Sequence, residues 1–117
     1  MNQSLFPFPQ PPAPYLDLND FLVDRPASSF FVGVVGDSMS GAGIFHGDLL
    51  VVDAAEPMQS GKVVVVRFQG EVLVKRWVDD GEDLFLRSEC EGGSNLLVAE
   101  RSELDLLGVV RWVLHQP

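Results

Sequence analysis

The sequence predicts an all-β domain, a barrel or a sandwich, on three observations. Short runs rich in valine, leucine and aromatic residues recur roughly every ten residues. Turn-forming glycine, aspartate and serine residues separate them. No stretch keeps a 3.6-residue apolar period for long. The 117 residues suffice for one domain with one modest core.

The first sixteen residues stand apart. Pro7, Pro9, Pro11, Pro12 and Pro14 remove backbone donors and fix φ, which excludes a helix or a central strand. Residues 1–16 therefore read as an extended, flexible arm of polyproline II character, in which Phe6 and Phe8 either dock on a surface or belong to a disordered terminus. Residues 17–117 read as the folded domain. Leu18, Phe21 and Leu22 have helical spacing, so Asp17–Asp24 is expected to form one or two helical turns ended by Pro26. Strands are expected over Ser29–Val35 and Asp48–Asp53, with a glycine-rich loop between them. Lys62–Phe68 and Glu71–Val78 flank Gln69-Gly70, a hairpin signal. Asp79-Asp80-Gly81 turns the chain into Asp83–Arg87, and Asn95–Ala99 and Leu106–Leu114 complete the set. On strict alternation, Leu106, Gly108, Val110, Trp112 and Leu114 share one face of the last strand, and Leu107, Val109, Arg111 and Val113 the other. A strand apolar on both faces is either central in a core or covered by a partner.

Seventeen acidic residues against eight basic ones give a net charge of −9. Such a surface repels phosphate, so direct nucleic-acid binding is not expected. Asp79, Asp80, Glu82, Asp83, Glu89 and Glu91 crowd one stretch, either as a solvated turn region or as an acidic docking face. Cys90 is the single cysteine, which excludes an internal disulfide and a cysteine metal cluster and fits a reducing cytosol. No basic n-region marks a signal peptide, and no apolar run reaches membrane-span length. The expected location is cytoplasmic, with no cofactor, metal or membrane association.

Ser38 lies just past a strand in the turn Gly36-Asp37-Ser38-Met39, where small neighbours let a substrate backbone approach. Gly-Asp-Ser is also a common structural turn. A serine hydroxyl needs a base to become a nucleophile. His46 and His115, the only histidines, read as surface residues, and nothing is placed to orient His46 as a triad would require. Lys75 is the better candidate. It shares a strand face with Leu73 and Trp77, while Val74, Arg76 and Val78 take the other. Apolar neighbours desolvate an amine and lower its pKa, as a general base near neutrality requires. The alternatives are an edge-strand lysine that prevents aggregation, or one that snorkels.

Several segments together resemble the LexA/UmuD group of self-cleaving serine/lysine peptidases. They are Gly36-Asp37-Ser38-Met39, Gly47-Asp48 running into Leu49–Asp53, Val72-Leu73-Val74-Lys75-Arg76, and the closing Leu107-Gly108-Val109-Val110. Leu16-Asp17-Leu18-Asn19 and Asp24-Arg25-Pro26-Ala27-Ser28 point to the UmuD branch. The resemblance runs from Tyr15 to near the end of the chain. It implies Ser38 as nucleophile and Lys75 as neutral general base. Met39 would pack beneath the turn, backbone N–H groups near Ser38 would serve the oxyanion, and Gly47-Asp48 would shape the strand after the loop. It implies a small, strongly bent β fold that forms homodimers.

The resemblance also implies a partnership with a UmuC-type polymerase in error-prone translesion synthesis during the SOS response, with RecA filaments assisting cleavage in a full-length relative. One feature departs from the family, whose members cut themselves upstream of the serine, at a small residue followed by glycine. No glycine precedes Gly33, and Ala42-Gly43, the only Ala-Gly pair, lies inside the nucleophile loop. The chain is therefore expected to resemble the processed form, UmuD′, and not to cleave itself. Three alternatives stand beside this reading: the C-terminal self-cleavage and dimerisation domain of a LexA-type or phage-type repressor, a signal-peptidase-like enzyme, and a β domain without chemistry. No helix-turn-helix domain precedes the arm, which argues against an intact LexA-type repressor.

Overall fold

The computed structural model describes residues 3–5 and 17–117. Most of the proline-rich arm, residues 6–16, lies outside the described residues, as do Met1 and Asn2. The described chain is all-β apart from one short helix and two single 3-10 turns, Ser40–Ala42 and Arg101–Glu103.

Helix α1, Leu18–Leu22, forms where the apolar spacing predicts it. Asp17 caps it, its carboxylate accepting from Asn19 N at 3.0 Å. At five residues it has little intrinsic stability. Tertiary contacts hold it in place: Phe21 packs on Trp112 with ring centroids 5.1 Å apart.

The strands are β1 (Ser29–Gly33), β2 (Leu49–Asp53), β3 (Val63–Phe68), β4 (Glu71–Asp79), β5 (Leu84–Arg87), β6 (Asn95–Val98) and β7 (Leu104–Leu114). They form one sheet in the order β1-β2-β7-β3-β4-β5-β6, every neighbouring pair antiparallel. The Gln69-Gly70 hairpin joins β3 to β4, and both turn residues have positive φ, +52° and +81°. Glycine adopts this conformation freely, whereas Gln69 is held there by the strands it connects.

The sheet carries two cores, which is how 117 residues bury so much valine. Val64, Val66 and Phe68 of β3 join Trp77, Leu84, Leu86, Val98 and Val109 in one cluster. Val65, the alternate residue of β3, joins Val34, Met39, Ile44, Leu50 and Val52 in the other. Strand β3 is thus covered on both faces, and its run of four valines fits that environment.

Strand β7 departs from the predicted alternation. It lies between β2 and β3, and its register shifts twice: Gly108 pairs Val65 while Leu106 pairs Val66, and Trp112 pairs Val51 while Val110 pairs Val52. Leu107 and Arg111 are the extra residues. Each bulge resets which face the following side chains occupy. Leu107, Val110 and Val113, three apart, therefore all pack against one core, while Val109 enters the other. The five alternating residues expected on a single face do not share it.

Candidate active site

Ser38 sits in the turn that follows β1. Gly36 and Gly47, at either end of this loop, both hold φ of +89°. Val34 stays paired beyond the strand's end, donating to Asp48 O at 2.9 Å and accepting from Gly47 N at 2.8 Å. Met39 is 1% exposed and anchors the turn in the core. Asp37 O accepts from Ser40 N at 3.1 Å, and Asp37 Oδ1 from His46 N at 3.4 Å. These contacts make the predicted cluster of Gly36, Asp37, Met39, Gly47 and Asp48 a scaffold for the loop.

Asp48 is a buried carboxylate, 2% exposed. Its Oδ2 accepts from Phe45 N at 2.8 Å, and its Oδ1 lies 2.6 Å from His115 Nδ1. The Phe45 hydrogen bond and then His115 hold its carboxyl below the usual carboxylate range. His46 Nδ1 accepts from Gly36 N at 3.1 Å. Both histidines therefore have partners in the scaffold, and both expose much of their surface.

Strand β4 delivers Lys75. The residue is 8% exposed, and burial pushes its amine below the ordinary lysine value, with Cys90 opposing the shift. Its Nζ lies 3.4 Å from Ser38 Oγ and 2.6 Å from Ser88 Oγ. The first contact joins the two residues singled out by sequence. The second involves a residue that was not. Strand register was the available signal: Arg76 faces Arg87 and Trp77 faces Leu86, so continuing the pairing by one residue sets Ser88 opposite Lys75.

The segment after β5 also grips the serine turn. Glu89 N donates to Ser38 O at 2.8 Å, and Gly41 N donates to Glu89 O at 2.7 Å. A Cβ at Gly41 would stand 2.8 Å from Glu89 O, so the approach requires glycine. The Glu89 carboxylate pairs with Arg76, whose Nη1 donates to Gly61 O at 2.8 Å. Glu89, expected among solvated acids, is tied into the site.

A groove of about 340 Å³ opens beside the two hydroxyl- and amine-bearing side chains. Val32, Gly33, Val34 and Val35 line one part of it, Val72, Leu73 and Val74 another, and Ser38 and Lys75 both face it. Such a groove, apolar and bordered by strand segments, has the form that accepts an extended peptide. Among the described residues no cluster of histidine, cysteine and carboxylate side chains could hold a metal ion. No helix among them is long and apolar enough to cross a membrane.

An all-β domain that sets a buried lysine against a serine in a tight turn has the form of a candidate serine/lysine peptidase. The chain belongs to the Peptidase S24-like family, whose model matches residues 8–111. It is 48% identical over 73 residues to Protein ImpA of Salmonella typhimurium, a match covering 59% of this chain and 50% of ImpA. Protein SamA of the same species matches equally well over 52% of its length. The LexA repressor of Shewanella sediminis is 43% identical over 79 residues, 68% of this chain and 38% of the repressor. The chain thus spans about half or less of these curated relatives.

Proposed function

We propose that the chain is a UmuD′-like subunit that retains a working serine/lysine dyad. The observation that carries the chemistry is the buried Lys75 amine within 3.4 Å of Ser38 Oγ, beside an apolar groove. Neutral Lys75 takes the proton as Ser38 Oγ attacks a peptide carbonyl carbon. The C–N bond breaks, and the proton passes to the leaving amine. Water then hydrolyses the ester, with Lys75 again as base. Backbone N–H groups of the Ser38 turn stabilise the oxyanion.

The test uses a quenched fluorescent peptide with an Ala-Gly bond between apolar residues, supplied in trans across a pH series. Cleavage is expected to rise with pH as Lys75 loses its proton, and to vanish in Ser38→Ala. Cleavage that survives this substitution rejects the dyad.

By resemblance, the chain acts as a homodimer with a UmuC-type polymerase in SOS translesion synthesis, and a RecA filament assists the cleavage step of a full-length relative. The net charge of −9 supports action through protein partners. Gel filtration of the chain mixed with such a polymerase is expected to yield a complex, and separate elution rejects the partnership. The LexA similarity, 68% of this chain at 43% identity, supports a second reading as the C-terminal domain of a repressor. Binding to a UmuC-type polymerase separates the two.

A further inference from the structure

Two hydroxyls flank the Lys75 amine, and the closer one is not the nucleophile candidate. Ser88 Oγ is 2.6 Å from Nζ and Ser38 Oγ 3.4 Å. Ser88 is held from both sides along the chain. Its own N–H donates to Ser94 O at 3.2 Å, and the next residue, Glu89, is bonded through its backbone to Ser38 and Gly41 and through its carboxylate to Arg76. The Ser88 backbone is therefore held beside the Ser38 turn, and its hydroxyl meets the Lys75 amine.

A neutral amine has two N–H donors and one lone pair, and it rotates freely about its terminal bond unless a partner stops it. We propose that Ser88 is a positioning residue: it accepts an N–H from Lys75 and so aims the lysine lone pair at the Ser38 hydroxyl. The inference rests on the serine/lysine reading above. Ser88 acts only through the Lys75 amine and itself takes no proton in any step. Its effect is orientational, and a misplaced base costs up to about a hundredfold in rate.

The chain has only two lysines, Lys62 and Lys75. Lysine labelled with ¹³C at Cε therefore gives two readily assigned signals in NMR, so the Lys75 amine can be followed without any substrate. The variants are Ser88→Ala and Ser88→Thr, with Ser38→Ala as the control for the chemistry.

Loss of the Ser88 oxygen removes an acceptor that favours the ammonium, so Lys75 should titrate at lower pH in Ser88→Ala. Cleavage of the Ala-Gly peptide should fall about ten- to a hundredfold although more of the lysine is neutral, and Ser88→Thr should restore most of it. Loosened packing would have the opposite signature, letting water in and raising the titration toward the ordinary ~10.4. The proposal is overturned if Ser88→Ala leaves the Lys75 signals and the rate unchanged, or if the rate falls while the titration moves up. The underlying reading fails separately, through cleavage that survives Ser38→Ala, and the Lys75 signals still decide whether Ser88 orients the amine.

Discussion

Lys75 carries its charge at a cost. Desolvation is the leading cause of its lowered pKa, so the ammonium is disfavoured in the folded chain. Between the lowered folded value and the unfolded value of ~10.4, the unfolded chain binds more protons, and stability rises with pH across that window. Lys75→Met removes the charge while keeping most of the volume. It should match or exceed the parent in urea midpoint at pH 7, flatten the pH dependence above it, and abolish peptide cleavage. A sharp fall in the midpoint would mean that the lysine is structural.

Asp53 shows the opposite sign. This buried carboxylate accepts from Ser28 Oγ at 2.7 Å, Ala55 N at 2.8 Å and Arg25 Nε at 2.7 Å. The Ser28 bond leads in holding its pKa below the usual range. Its contribution is full above the unfolded value of ~3.9 and is lost as pH falls through the folded value. Asp53→Asn should therefore lower the urea midpoint at pH 7, and its deficit should shrink below about pH 4. A deficit constant down to pH 2 would contradict the assignment.

At the scale of elements, the segment after β5 links the parts of the site. Gly41→Ala forces a methyl group against Glu89 O, 2.8 Å from the ideal Cβ position. Overpacking of this kind costs about 1–3 kcal/mol. It should also pull the Ser38 turn from the Ser88–Glu89 segment, so thermal unfolding should show a lower Tm and the peptide assay a slower rate. An unchanged rate would show that the segment does not position the turn. The acidic stretch divides by role. Asp79 pairs with Arg101 at 2.7 Å, and Asp80 accepts from Glu82 N and Asp83 N within the β4–β5 turn. Glu89 belongs to the site. Neighbours in sequence, these acids are separated in function by the end of β5.

At the scale of the whole molecule, the described residues leave an apolar patch exposed beside α1. Phe31 of β1, Leu49 of β2, and Trp112 and Leu114 of β7 are exposed, Phe31 by 57%. Register places them together: Phe31 and Trp112 both pair with Val51, and Leu49 pairs with Leu114. A patch across three adjacent strands suits the proposed homodimer. Sedimentation at micromolar concentration should give about twice the 12.8 kDa chain mass, and Leu114→Asp should shift it toward the monomer. Because each copy carries −9, association should tighten from low to moderate salt. A monomer at every salt concentration would remove the dimer from the functional reading.

Local chemistry made the strands and their order along the chain legible. Valine-rich runs and glycine- or aspartate-bearing turns act over a few residues, and the β3–β4 hairpin and α1 formed where those signals lie. A desolvated Lys75 between Leu73 and Trp77 was one reading of its strand, beside an edge-strand or snorkelling lysine, and the fold decided for burial. The faces of β7 were not, since its two bulges arise from pairing with β2 on one side and β3 on the other, and alternation read along one strand carries no record of its neighbours. Nor could composition or spacing along the chain bring Ser38 to Lys75, 37 residues away, whereas Ser88, 13 residues beyond that amine, follows once the β4–β5 register is known. The sequence by itself determined which residue types were present and which strands would carry them. The tertiary structure decided which of them meet, because strand register is set by burying two cores at once.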